Sequence, residues 1–588
     1  MRSSTFLRRP LRGGGLFVLG VHQYDTWFGD RVFNRNLKAI WAAILTTYDY
    51  KFGVDYENPE SLSSVHSRVA QRWFNVCGSN GGLYIKLGQS CQQLNHVLPV
   101  EFTSLFSQMF DSAPPVSSEA INRVFKSDFD GKSPDEVFRE FDPNPVASAS
   151  IAQVHKAIMQ DGTKVAVKIQ KPYIERQIPW DLTCYRFLIF ALEKIFDLPM
   201  YWTTDAVCKS IRQEADFRVE ASNAEKARIG IDPSSNSTTY IPKIHHHLTT
   251  KRVLTMEWID GVRITDKDGV RQMGFSIPKD DVMLIVIMLM FKFTIMMKMI
   301  FPSVFTKVMD MVVKTFAEQI FLTGFIHADP HPGNVLVRPN PEMKSAPQIV
   351  LLDHGLYVEA SEKFRMDYCK LWKAMVLMDT DTVRDVCLSW GVADSEFFAS
   401  MQLLKPYRPQ KKAIHVANTT IDDILRMQMG LKERVKHLLH DTQLVPRELI
   451  LLGRNMNIVR SCNKAMGSPV NRVAIMAYYA NRGTYSLNPL LHHLNSPAST
   501  HISEHNHQVN DPWHQIKWKA AYTEVLFRAQ LFFIKCAYYS TKVWQMLNSL
   551  FGHKSKNFEE LLEEGIANTI EAKLGFRINL DENGNAFG

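Results

Sequence analysis

The chain has 588 residues, 45% of them hydrophobic and 22% charged, with a formal net charge of +8. That is the composition of a globular protein, of two to four units or one large domain with additions, and the charge is too modest for this length to call for a nucleic-acid partner. The eight cysteines are scattered with no C-x-x-C pair, which argues against a disulfide framework and suits a reducing compartment.

Residues 1–24 carry Arg2, Arg8, Arg9 and Arg12 and no acid. An Arg-rich, Ser-containing, acid-free start has the profile of a mitochondrial presequence, with a basic tail as the plain alternative. Residues 31–50, RVFNRNLKAIWAAILTTYDY, predict one apolar-rich helix suited to a core, a membrane surface or a short anchor. Helical periodicity continues over 64–110, around GGLYIKLGQSCQQL, and DSAPPVSSEA then reads as a loop and helix cap. IAQVHKAIM, a turn at Asp161-Gly162 and KVAVKIQ predict a β-hairpin. Residues 204–229 predict one long polar helix. RVLTMEWIDG and IVLLDHGL read as buried strands, and the pattern is helical from there to about 485.

Residues 488–512 are polar and His-rich. Residues 513–552 predict one or two helices whose basic residues alternate with aromatics, fit either for a membrane surface or for packing on the domain. The chain thus divides into a targeting segment (1–24), a helical extension (25–143), a small β-rich lobe (144–258), a helical lobe (259–485) and a linker with a helical tail (486–588). The apolar run 283–306 is anomalous: Lys292, Lys298 and Pro302 interrupt it. It reads as an embedded insertion, a buried helix or translated non-coding sequence, and the third is favoured because DDVM would run on into KVMDMVVKTFAEQIF as one amphipathic helix.

Five features carry chemistry. From Ala147 the chain reads A-x-A-x-x-A-x-V, the spacing of a glycine-rich phosphate loop with alanine at each glycine position. VAVK ends on Lys168, Glu220 lies on the next helix, HADPHPGN supplies Asp329 and Asn334, and LLDHG supplies Asp353. Phosphoryl transfer spreads negative charge over several oxygens, so its catalysis is mostly positioning and neutralisation. In that scheme Lys168 meets the phosphates, Glu220 holds Lys168, Asn334 and Asp353 offer hard oxygens to Mg²⁺, and Asp329 orients a hydroxyl or water. His327 reads as a structural loop residue, and the three adjacent histidines His245–His247 cannot readily converge on one ion.

YIKLGQ, ASASIAQVHKA, VAVKIQ, QEADFRVEASNAEK, HADPHPGNVLV and LLDHGLY together resemble the UbiB, or aarF-domain, family of atypical kinases, and within it a mitochondrial subgroup. The resemblance spans roughly residues 30–480. It implies a kinase-like two-lobed α+β fold with ATP or ADP and Mg²⁺ in the cleft. Ala147, Ser148, Ala149, Ser150, Ala152, Val154, Lys168, Glu257, Asn334 and Asp353 are then the nucleotide and metal residues, with Asp329, Lys168 and Glu220 catalytic. The family's K-x-G-Q motif falls on Lys86, Gly88 and Gln89, on a helix that covers the cleft where a peptide would sit. Its E-x-D motif falls on Glu214 and Asp216, the regulatory partners of that helix. Helical spacing places Asp216 and Glu220 on one face and points Glu214 elsewhere.

Alanine resists positive φ and close backbone approach, so an alanine loop under a covered cleft predicts poor protein phosphorylation. ATP hydrolysis, or transfer to a small or lipid-like acceptor, becomes the expectation, and by resemblance a role in lipid or coenzyme Q homeostasis at the mitochondrial inner membrane. A pseudokinase scaffold is the alternative from another class; a conventional protein kinase is the third. His354 stands where D-F-G has its aromatic, and Ala328 where H-R-D has its arginine.

Overall fold

The computed structural model describes residues 23, 25, 30–55, 59–93, 99–109, 114–197, 201–231, 238–275, 304–392, 394–403, 407, 446–485, 513–550, 555–562 and 564. Nearly all of the segment 1–24, and all but the last three residues of the run 283–306, lie outside that set.

Four helices make the extension: α1 (Val32–Phe52), α2 (Pro59–Asn80), α3 (Gly82–Gln93) and α4 (Val100–Phe106). α1 buries Arg35, Ala39, Ala42 and Thr46, the three- and four-residue spacing of one helix face. Buried Arg35 pairs with buried Asp181 at 2.5 Å, and the Asn80 amide donates to the Arg35 carbonyl at 3.0 Å. Gly81 and Gly82 take φ of +68° and +51°, the left-handed region open to glycine. The chain therefore turns between α2 and α3, and Leu83 packs on Ile174, Ile178 and Leu182.

The small lobe is an antiparallel sheet. β1 (Glu140–Phe141), β2 (Ala147–Ser148), β3 (Ala152–Ile158) and β4 (Lys164–Gln170) are followed by β5 (Thr239–Tyr240), which joins a second sheet, and β6 (Val253–Glu257). The order is β1-β3-β4-β6, with β2 also on β3. Strand alternation does the sorting. Val165, Val167 and Ile169 turn to one face, where α5 (Ser118–Asp128) covers them with Ile121, Val124 and Phe125. Ala166 and Lys168 take the other face. Burying each such apolar side chain is worth about 1.5–3 kcal/mol, so this small cluster suffices to fix which way Lys168 points. The Asp161-Gly162 turn, with Gly162 at φ +87°, closes the hairpin.

The lobe continues through α6 (Ile174–Phe196), α7 (Thr203–Glu214) and α8 (Phe217–Gly230). The one long helix expected over 204–229 is therefore two. The break is satisfied by the sheet and by a cap: the Ala215 carbonyl accepts from Gln170 Nε2 at 3.0 Å, the Phe217 amide donates to Lys251 O at 3.0 Å, and Asp216 accepts from the Arg218 amide at 3.1 Å. An aspartate before an apolar first turn is an N-cap signal.

The helical lobe begins with β7 (Val262–Arg263), α9 (Lys267–Gln272) and α10 (Val304–Glu318). α10 ends in a wider turn, Gln319–Thr323, and at Gly324 with φ +67°. Two short sheets then frame the loop that carries Asp329: β8 (Phe325–His327) pairs with β11 (Tyr357–Glu359), and β9 (Val335–Pro339) with β10 (Pro347–Leu351). Around them pack α11 (Glu362–Leu377), α12 (Thr380–Ser389), α13 (Ser395–Leu403), α14 (Arg447–Ala465) and α15 (Arg472–Gly483). The last helix, α16 (Trp513–Leu550), is single and buries Phe527 and Leu531 in the lobe's core. Among the described residues no helix is long and apolar enough to cross a membrane.

Candidate active site

The cleft between the lobes gathers side chains far apart in sequence. From β4, Lys168 Nζ lies 2.9 Å from each carboxylate oxygen of Glu220, on α8, and 3.4 Å from Asp353 Oδ2, just past β10. Burial alone would lower the Lys168 ammonium; the Asp353 and Glu220 carboxylates outweigh it and hold it above its usual range. Burial would likewise raise Asp353, and Lys168, with the Gly355 amide at 2.9 Å on Oδ1, holds it well below the usual carboxylate range. Lys168 also lies 5.1 Å from the centre of the Phe217 ring. α8 reaches this close because its inward face is Phe217, Glu220, Ala221, Ala224 and Ala227, mostly small residues.

The alanine loop is a tight hairpin. β2 pairs Ala147 with Val154, and the Ala149 amide donates to the Ala152 carbonyl at 2.8 Å. None of residues 147–154 is among the positive-φ positions, so the turn asks nothing of these residues that alanine cannot supply. Ala147 and Ala149 are exposed, Ser150 and Ala152 buried, Val154 half-buried. Ser148 Oγ is buried without a hydrogen-bond partner, a polar atom left over at the lip of the loop.

The catalytic loop is held by histidines. His327 Nδ1 accepts from the Asp329 amide at 3.0 Å, and its Nε2 donates to the Asp353 carbonyl at 2.8 Å. One ring thus clasps the two acidic segments together, and burial lowers it from the ordinary histidine range. Pro332–Asn334 form a single helical turn, and the Asn334 carbonyl accepts from the Leu352 amide at 2.9 Å. That bond sets Asn334 beside Asp353. The two offer hard oxygens, Asp353 with 41% of its side chain exposed; such a donor set fits Mg²⁺, which keeps waters and shares phosphate oxygens. At the D-F-G aromatic position, His354 donates from Nε2 to Leu351 O at 3.1 Å and accepts at Nδ1 from the Tyr357 hydroxyl at 2.9 Å. Burial pushes it down to about 3. It is a neutral packing residue, stacked on Tyr357.

Lys86 reaches the cleft from α3. Its Nζ lies 2.6 Å from Glu214 and 3.9 Å from Asp329, and those two carboxylates, Glu214 first, overcome the effect of burial and raise it. On the side of α3 turned away from Lys86, a Cβ on Gly88 would sit 2.7 Å from Met109 Sδ and 3.1 Å from the Phe106 ring, so α3 packs tightly on α4 and the turn that follows it. Gln89 lies on the same helix, with its side chain outside the described set.

The expectations for Asp216 are corrected here. Of the two partners implied for the Lys86 helix, Glu214 meets Lys86 and Asp216 does not. Asp216 caps α8 and is clamped by the Arg218 guanidinium at 2.9 and 2.7 Å, so it does not share the Glu220 face. The break at Ala215-Asp216 re-aims the two glutamates at two different lysines. The Glu257 carboxylate is spent on the Tyr240 hydroxyl and the Lys243 amide, and its own amide donates to Lys243 O at 2.9 Å.

Sequence reading missed Arg454. From α14 its Nη2 lies 3.0 Å from Asp329 Oδ2, and the next residue, Asn455, donates to the His327 carbonyl at 2.6 Å. Burial would raise the Asp329 carboxyl; Arg454 first and Lys86 second hold it below its usual range. The available signal was an Arg-Asn pair inside the otherwise apolar LILLGRNMNIV.

Residues 108–387 match the ABC1 atypical kinase-like domain, which takes in the small lobe and the helical lobe as far as α12, with every cleft residue named above except those on α3 and α14. An ABC1 family protein of Schizosaccharomyces pombe is 35% identical over 475 residues, covering 80% of this chain and 83% of that one. AarF domain-containing protein kinase 1 of Xenopus laevis is 32% identical over 478 residues, covering 80% and 85%. Among solved structures, Rv3197 of Mycobacterium tuberculosis, in complex with erythromycin, is 19% identical with a TM-score of 0.40, covering 73% of this chain and 99% of that one. With relatives above 30% identity along most of both chains and a cleft built from the family's own motifs, this chain belongs to the ABC1, or AarF-domain, family of atypical kinases.

Proposed function

We propose that the cleft binds Mg-ATP and transfers its γ-phosphoryl group to water or to a small, lipid-like acceptor. The observation that carries this reading is the assembled Lys168 cluster, with Glu220 at 2.9 Å and Asp353 at 3.4 Å. Lys168 binds and orients the phosphates, Glu220 keeps it aimed, and the 147–154 hairpin closes over them. Asn334 and Asp353 hold Mg²⁺, which when bound neutralises charge on the phosphate oxygens. Asp329 takes the proton of the attacking hydroxyl. Lys86 and α3 occupy the approach to Asp329, which favours a small acceptor over a polypeptide.

The cellular setting proposed is the mitochondrial inner membrane, in lipid or coenzyme Q homeostasis. The acid-free, Arg-rich start supports mitochondrial import. Phe33, Leu37, Trp41, Ile44, Tyr48 and Phe52, all exposed along α1 at three- and four-residue spacing, support contact with a lipid surface. A catalytically silent scaffold is the second reading, favoured by the enclosure of Asp329 between Lys86 and Arg454.

Thermal unfolding of the full chain with ADP or ATP, with and without Mg²⁺, tests the nucleotide site. At a hundred times Kd a ligand adds about 2.7 kcal/mol to the folded state. The expected result is a Mg-dependent rise in Tm that Asp353→Asn abolishes. No rise with either nucleotide would sink the enzyme reading and favour the scaffold.

A further inference from the structure

Asp329 lacks the arginine that precedes the aspartate in an H-R-D loop; Ala328 stands there, fully buried. A guanidinium nevertheless reaches it. Arg454 spans the gap from α14 and meets Asp329 Oδ2 at 3.0 Å. α14 is anchored in the helical lobe by Leu449, Leu452, Met456 and Val459, and Asn455 ties it to the catalytic loop through the His327 carbonyl at 2.6 Å.

The charged and titratable groups around Asp329 are few. Lys86 comes from α3, Arg454 from α14, and His327 and His331 from the loop itself. The two cations differ in attachment. Lys86 is bound first to Glu214, at 2.6 Å, and stands 3.9 Å from Asp329. It sits on the extension, in the path of an acceptor, so it must withdraw for one to enter. Arg454 belongs to the lobe that carries Asp329. Asp329 Oδ1 is buried without a hydrogen-bond partner, so Oδ2 is the restrained oxygen and Oδ1 the one left to a hydroxyl.

We propose that Arg454 is the positioning residue of Asp329. It replaces in space the arginine missing from the loop, and it keeps the carboxylate ionised and aimed once Lys86 has moved away. A buried carboxylate stripped of both cations is uncompensated and shifts or takes up a proton. The proposal rests on the phosphoryl-transfer reading above.

ATP turnover of the full chain decides it, with Arg454→Met and Arg454→Lys made alone and in a Lys86→Ala background. Misplacing a reacting group by an ångström costs about 100-fold in rate. Arg454→Met is therefore expected to lower kcat by about that factor, with KM for ATP and the Mg-ADP rise in Tm unchanged. The loss should be larger in Lys86→Ala, where no cation remains, and Arg454→Lys should recover part of it. The Tm rise certifies that each variant is folded, and Arg454→Lys keeps the test open should Arg454→Met not fold. Turnover unchanged in Arg454→Met in both backgrounds overturns the proposal, as does Arg454→Lys as poor as Arg454→Met. Absence of turnover in the wild type and in Lys86→Ala, with the Mg-ADP rise intact, instead overturns the phosphoryl-transfer reading, and the positioning role with it.

Discussion

Two lysines face one cleft with matching partners and different foundations. Lys168 stands on a strand in the middle of a sheet, with Glu220 as its first carboxylate and Asp353 as its second. Lys86 stands on a helix of the extension, with Glu214 first and Asp329 second. Side-chain exposure separates them: 14% and 3% for Lys168 and Glu220 against 23% and 21% for Lys86 and Glu214. An ion pair sealed from water is strongly destabilising to break, because the remaining charge has nowhere to go; a half-open pair is worth little. The inner pair is thus part of the framework and the outer pair a releasable latch. A third lysine completes the series. Lys171, the residue after β4 and buried, has for its ammonium, among the described residues, only the Pro114 carbonyl, at 2.9 Å, and burial pushes it down to about 8. Carboxylates, set against burial, decide which of these lysines are held above the ordinary range and which fall below it.

The largest effect expected is on the inner pair. Lys168→Met should cost roughly 3–5 kcal/mol in urea unfolding, and Glu220→Gln added to it should recover part; a cost below 1 kcal/mol would show that the pair is no more sealed than the outer one. Gly88→Ala attacks the helix beneath Lys86, because the new methyl meets Phe106 and Met109. A loss of about 1–3 kcal/mol is expected in urea unfolding.

The pH dependence follows from Lys171. Its folded value lies below the ordinary 10.5, so the unfolded chain holds a proton there that the fold gives up. Its contribution is fully present above the ordinary value and is lost as pH falls towards 8. Wild type should therefore gain on Lys171→Met by about 1.4 kcal/mol per pH unit between pH 8 and 10, read from denaturation midpoints. Parallel curves would contradict it. The smallest stability effect belongs to the latch: Lys86→Ala should change unfolding by less than ~1 kcal/mol while raising ATP turnover. A loss as large as that of Lys168→Met would erase the distinction between the two lysines.

What could be read from the residues were the parts whose chemistry is local. Lys168 sits on a strand whose alternation is visible in VAVK. Asp329 and Asn334 share one loop, and Asp353 follows an apolar strand. The hairpin at Asp161-Gly162 was legible because its turn residues are. What failed was continuity: an unbroken polar stretch over 204–229 looked like one helix, because the groups that satisfy its break, Gln170 Nε2 and Lys251 O, come from other strands. That one misjudged break misdirected Asp216, while Glu214 meets Lys86 as the motif implied. Arg454 was hidden for the related reason that its partner lies in another element, and an arginine in a helix carries no mark of where its guanidinium ends. The Lys86–Glu214 pairing depends on Gly81, Gly82 and Gly88 letting α3 turn and descend, and only the packed structure shows how close that descent is.

The order of these elements along the chain has a consequence during synthesis. α3, with Lys86, leaves the ribosome first; the loop with Asp329 follows; α14, with Arg454, comes much later. Large chains begin to fold from the N-terminus while still being made. For that interval the nascent lobe carries Asp329 with Lys86 already made, and the guanidinium that meets it in the finished protein has not yet been polymerised.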